Sequence, residues 1–294
     1  MDVDWGLLVD SPDEAAKELG TMLHKGQLAL FVGAGISKGL GAPDWHSLAR
    51  MMARRTAGIN GKGINRKTVP SEKLAEIFTR ISRRLGSSFD AEVKKCLYYR
   101  LTKKKGNWAS GTLVALGALM SGTNRGRIDT VLSLNFDSIL EMYLRLYGNI
   151  AQPITTFPAL IGRSDVVIFH SHGYLPYEAE DGDDTSILLT SQTYLEAMGD
   201  DASPRKKMMD YVFGHKRFLA IGLSGGDMYS RSAIAAMALR AEGTMGYWIL
   251  GPNEDDDKVA DLKESKIAAV RLASFADLPE FLFKIARHAA KLAI

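Results

Sequence analysis

The sequence predicts an α/β fold: a doubly wound, mostly parallel sheet of the Rossmann-like kind with an inserted helical module. Three observations lead there. From Arg127 onward, short apolar runs rich in branched residues alternate with stretches of helical periodicity, the pattern of strands covered on both faces by helices. The apolar run 28–32 stops abruptly at Gly33-Ala34-Gly35, where a buried strand gives way to a loop open enough for a phosphate to reach the backbone. Between Leu48 and Arg127 only helical spacing is found. The chain therefore reads as one domain, 1–294, with the helical insertion at about 46–125.

Taken in order, Ser11 and Pro12 supply start signals for a helix over 13–24, and 28–32 is the first strand. A helix over 45–53 follows the glycine loop, with Asp44 a candidate cap. Three more helices, 71–85, 89–101 and 110–120, are divided by Gly86-Ser87-Ser88 and Lys105-Gly106-Asn107. Leu74, Ile77, Ile81 and Leu85 show the three- and four-residue steps of an apolar helix face. The second half predicts strands at 128–134, 151–157, 166–169, 187–190, 217–221, 247–250 and 268–272. Helices are predicted at 137–147, from 192, at 230–242 and at 278–292. The acidic runs 178–184 and 254–257 read as solvated loops.

Composition narrows the function classes. The longest apolar helix candidate, 111–120, falls well short of the roughly 18 residues a membrane helix needs, so no membrane association is expected. The acidic start, Met1-Asp2-Val3-Asp4, lacks the basic region of a signal peptide. One cysteine, Cys96, excludes an internal disulfide and a four-cysteine zinc site, and it fits a reducing cytoplasm. Set beside Val93 and Leu97, it reads as inert packing. The net charge of +3 hides an asymmetry. Residues 50–127 hold 18 Lys and Arg against four acids, so the rest of the chain carries −11. That segment suits an acidic partner, nucleic acid or protein, or forms a solvated helical face.

In a parallel sheet, ligands sit at the carboxyl ends of the strands. Five predicted strand ends carry small or polar residues. They are Gly33-Ala34-Gly35-Ile36-Ser37, Asn135-Phe136-Asp137, His170-Ser171-His172-Gly173, Gly222-Leu223-Ser224-Gly225-Gly226-Asp227, and Gly251-Pro252-Asn253. A second small-residue turn, Gly41-Ala42-Pro43-Asp44-Trp45, follows the first glycine loop.

This ordered set resembles the sirtuins and the sirtuin-like NADases. Gly33-Ala34-Gly35-Ile36-Ser37 with Ala42-Pro43-Asp44-Trp45 is similar to their cofactor loop. Asn135-Phe136-Asp137 looks like their Asn-x-Asp motif, His172-Gly173 like the catalytic His-Gly, and Gly222-Leu223-Ser224 like the Gly-x-Ser loop. Asn253 resembles the late asparagine that meets the adenosine ribose, and 275–282 the closing segment near the adenine. The chain departs from the deacylating sirtuins, whose zinc ribbon needs four cysteines. Trp45 after the proline turn, followed by His46, looks more like the anti-phage, abortive-infection NADases of bacteria and archaea.

The resemblance implies NAD as substrate, no metal, and hydrolysis to nicotinamide and ADP-ribose. It also implies a homo-oligomer that assembles with a partner such as a hexameric DNA-translocase-type ATPase. The leaving nicotinamide already carries positive charge, so the enzyme must hold the pyrophosphate and stabilise a ribosyl cation. Asn135 is assigned to orient the nucleophile and His172 to act as base. Asp137 is assigned to the nicotinamide carboxamide. The cofactor contacts fall to Gly33, Ala34, Gly35, Ser37, Pro43, Asp44, Trp45, Gly222, Ser224 and Asn253. Plainer readings stay open. Asn135 is also a candidate helix cap, Asp137 a helix-dipole charge, and one of His170 and His172 a core residue. Two other functions fit the same motifs: a non-catalytic NAD or ADP-ribose sensor, and an ADP-ribosyltransferase.

Overall fold

Seven strands, all parallel, form one sheet in the order β3-β4-β2-β1-β5-β6-β7. The computed structural model describes residues 9, 11–101, 110–122, 124–178, 187–199, 202–224 and 228–294. The first half runs α1 (Pro12–His24), β1 (Leu28–Val32), α2 (Trp45–Arg55), α3 (Leu74–Leu85), α4 (Phe89–Tyr98), α5 (Gly111–Met120) and β2 (Thr130–Ser133). Next come α6 (Ile139–Leu146), β3 (Ala151–Ile154), β4 (Val166–His170), α7 (Ser191–Gly199), α8 (Pro204–His215) and β5 (Arg217–Ile221). The chain closes with α9 (Met228–Ala238), β6 (Gly246–Leu250), α10 (Asp256–Glu264), β7 (Ile267–Arg271) and α11 (Leu278–Leu292). Every described element between β1 and β2 is helical.

Strand β1 is the middle of the sheet because all five of its side chains are buried. Leu28, Leu30 and Val32 enter one core while Ala29 and Phe31 enter the other, the two-residue alternation of a strand covered on both faces. Leu30 is in register with Val131 on one side and Leu219 on the other. The first core holds α1, α5 and α11 together with the helices that follow β1. The second is built on Phe31, whose ring meets Phe213, Phe218 and Trp248 edge-on. Helices α1 and α11 touch so closely that a Cβ on Gly20 would stand 2.6 Å from the Cβ of His288. The sheet winds outward from β1 through β2, β4 and β3, then from β5 through β6 and β7. The reversal between β1 and β5 is the point at which a doubly wound sheet opens a crevice.

Three predicted details change. Residues 187–190 are no strand. Leu188 gives its N–H to His172 O, but the N–H groups of Leu189 and Thr190 turn to the Thr193 hydroxyl and open α7 instead. The acidic run after Glu254 is the first turn of α10: Asp255 caps it by accepting from Lys258 N, and Asp256 and Asp257 favour its N-terminus. Helix α8 went unread, although Ser203 accepts from Lys206 N as its cap and Pro204 sits at its first position. Asp227 and most of the acidic run 178–184 lie outside the described residues, as does part of the basic segment. No described helix is long and apolar enough to cross a membrane. Cys96 is buried in the first core, and burial foremost pushes its thiol up to about 11, so it is a poor nucleophile at neutral pH.

Candidate functional site

The reversal of winding creates a cavity of about 490 Å³. Its floor is backbone. Gly33 N donates to Ile221 O and Gly35 N to Gly222 O, so the loop after β1 lies directly on the loop after β5. A Cβ on Gly35 would fall 2.4 Å from the Gly222 Cα. Gly222 itself takes φ +71°, a conformation L side chains rarely adopt. The sequence therefore needs glycine at Gly35 and Gly222, while Leu223 packs its side chain against Gly33.

Asn135 belongs to the wall of this cavity. Its amide donates to Gly33 O at 3.2 Å and reaches Ser37 Oγ at 3.5 Å, which ties the loop after β2 to the glycine turn. It does not cap α6: the cap position is Ser138, and Ile139 N goes to Asp137 Oδ1. Gly33, Ala34, Gly35, Asp44, Trp45, Gly222 and Ser224 share the wall with Asn135. Ser37, Pro43, Asp137, His172 and Asn253 lie outside it. Ser37 is fully buried and gives its hydroxyl to Asp137 Oδ1, while Asn253 stands exposed after β6. Asp44 does cap α2 by accepting from Ser47 N. Burial opposes its charge, but the Ser47 bonds and then Arg66 and Lys38 prevail, holding it below the usual carboxylate range.

His172 is fully buried. Its Nδ1 lies 3.2 Å from Ser171 Oγ and its ring meets Tyr194 edge-on at 6.0 Å. Tyr194 in turn meets Trp45, which faces the cavity, at 6.1 Å. Two rings, Trp45 and Tyr194, thus lead from the cleft to the histidine.

Behind Asn135 lies a buried charged group that the motif reading passed over. His170, the last residue of β4, has its Nδ1 3.0 Å from Asn135 O and its Nε2 2.5 Å from Glu141 Oε1. Both side chains of this pair are 1% exposed. Burial pushes the His170 pKa down, but the Glu141 carboxylate beside it outweighs burial and holds it above the ordinary histidine value. The available signal was Glu141, one helical turn beyond Asp137, facing a histidine at a strand end. Lys38, Arg66 and Arg231 were missed too. All three line the cavity and offer positive charge to an anion there.

Asp137 is pushed up to about 6, chiefly by burial, with Glu141 adding to the shift and the bonds from Ile139 and Ser37 opposing it. Between the ordinary 3.8 and about 6 the folded protein holds a proton that the unfolded chain has released. Stability contributed by this group is therefore lost as pH rises through that window. Asp137→Asn should remove the loss, because the amide never ionises. Its stability relative to wild type should rise by about 2–3 kcal/mol between pH 4 and pH 7, measured by urea unfolding. A gap that stays flat would mean that the carboxyl titrates freely.

Residues 129–270 match the family described as SIR2-like domain. The chain is also similar to a solved structure described as "Structural Basis for the Mechanism and Regulation of Sir2 Enzymes". The identity is 14% and the TM-score 0.46, over 95% of this chain and 98% of that one. No curated protein matches the sequence.

Proposed function

We propose, for a chain whose residues 129–270 match the SIR2-like domain family, that it is an NAD-dependent enzyme of the hydrolytic kind, releasing nicotinamide and ADP-ribose. The observation that carries the reading is Asn135. Its carboxamide is fixed by Gly33 and Ser37 in the wall of a 490 Å³ cavity whose floor is glycine backbone. The pyrophosphate lies over Gly33–Gly35 and Gly222 and is held by the charge of Lys38, Arg66 and Arg231, since the Gly33 and Gly35 N–H groups are already bonded to Ile221 O and Gly222 O. Asn135 then sits beside the ribose and orients water toward its anomeric carbon. Water adds its oxygen there, the glycosidic electron pair returns to the nicotinamide nitrogen, and the water proton leaves. His172 serves as the group that receives this proton once the Tyr194 ring swings away from it.

A resting protein with its base covered suits an activity that would deplete a cell of NAD. The reading extends to a gated effector of anti-phage defence. Assembly of several copies with a hexameric ATPase partner moves Trp45 and Tyr194. The direct test is nicotinamide release from NAD by the purified chain, alone and with its assembly partner, compared with His172→Ala. Release by wild type that His172→Ala loses supports hydrolysis; equal rates remove His172 from the mechanism. The buried position of His172 favours a second reading, a non-catalytic NAD or ADP-ribose sensor. Calorimetric NAD binding without any nicotinamide release would establish it.

A further inference from the structure

A second recess, of about 550 Å³, lies among the helices that follow β1, away from the glycine loops. It is lined by Arg55, Ala91, Lys94, Lys95, Tyr98, Tyr99 and Tyr177. Every cation in it comes from the basic segment 50–127, of which the NAD reading uses only Arg66. Glu92 engages Arg55 and also lies 3.6 Å from Lys95, so one carboxylate answers two of the three cations. Lys94 has no ion pair among the described residues. The aromatic side is as distinctive. Tyr99 is 44% exposed and Tyr177 is 36% exposed. Tyr98 beneath them is buried and meets the Tyr177 ring at 5.2 Å.

A face of tyrosines joined to a surplus of positive charge matches one ligand chemistry: a planar ring carrying phosphate. The volume falls within the range of small-molecule sites. An acidic peptide would use the cations and leave the ring faces idle. We propose that this recess binds a nucleoside monophosphate group, base against Tyr99 and Tyr177, phosphate on Lys94, Lys95 and Arg55.

The recess connects to the cleft. The Tyr98 hydroxyl accepts from Ser138 N at 2.9 Å and donates to Leu175 O at 2.8 Å. Tyr177 N donates to Ser138 Oγ at 3.0 Å. Ser138 directly follows Asp137 in the loop that carries Asn135. An occupant pressing on Tyr98 and Tyr177 therefore acts on the segment that sets Asn135.

The site is tested by binding, which does not depend on NAD cleavage. Calorimetry of GMP with the full chain should show binding. Lys94→Glu and Tyr177→Ala should each weaken it at least tenfold, and Asn135→Ala should leave it in place. Absence of GMP binding at millimolar concentration, or its loss in Asn135→Ala with Lys94→Glu unaffected, would overturn the proposal. Inorganic phosphate binding as tightly as GMP would overturn the stacking half of it. A 5′-phosphorylated hexathymidylate strand separates the two sources: tighter binding than GMP identifies a strand end as the natural occupant, weaker binding a free nucleotide.

Discussion

Asn135→Ala is expected to lower nicotinamide release by about 10²–10³-fold, the usual consequence of removing one preorganised polar group from a developing charge. Folding should survive it. The lost bonds are those to Gly33 O and Ser37 Oγ, worth about 1 kcal/mol of stability together on the usual scale. The two effects can therefore be separated: thermal melting should shift by a few degrees while turnover collapses. NAD affinity, measured by calorimetry, should change much less than turnover, because the phosphate floor of glycine backbone is untouched. A variant that melts normally and still turns over at the wild-type rate would make Asn135 a mere tether between two loops.

His170→Ala should destabilise the protein by about 3–5 kcal/mol near neutral pH, since it leaves the Glu141 carboxylate buried without its partner. Among the described residues Glu141 Oε2 already lacks a hydrogen-bond partner, so losing the bond at Oε1 strips the group further. The pH dependence has a definite sign. The folded His170 pKa lies above the ordinary 6.5, so the stability of the pair is fully present below 6.5 and fades as pH rises through the folded value. The gap between wild type and His170→Ala should accordingly be widest in mild acid and narrow in alkali. Urea unfolding at pH 6 and pH 9 measures both limits. The double variant His170→Leu, Glu141→Leu should recover part of the loss, as apolar replacements of buried pairs commonly do. A cost under about 1 kcal/mol at pH 6 would mean that the pair is not ionised.

Much of this architecture was legible from residue pattern. Strand β1 was readable because burial on both faces forces five consecutive apolar side chains, and β5 because the four residues after Arg217 are apolar and buried. The cleft floor was readable because only glycine tolerates the contact between Gly35 and Gly222. Helix α8 was not, because its sequence, Pro204-Arg205-Lys206-Lys207-Met208-Met209, spreads charge and bulk without a clean stripe, and its cap at Ser203 was overlooked. Residues 187–190 misled because a buried extended connector and a strand have the same composition; only the Thr193 hydroxyl distinguishes them. Within the site, spacing located Asn135 but could not tell which histidine would meet Glu141. That depends on how far α6 leans toward the end of β4, a distance no local pattern encodes.

The contact between the loops after β1 and β5 has one more consequence. Two segments remote in sequence are riveted mainly by backbone hydrogen bonds, which leaves few rotamers to freeze when a guest arrives. The proposed dinucleotide would meet a rigid seat there, so little entropy would be spent shaping it. Changes in affinity among variants of the surrounding side chains should then appear as altered residence time rather than altered capture rate.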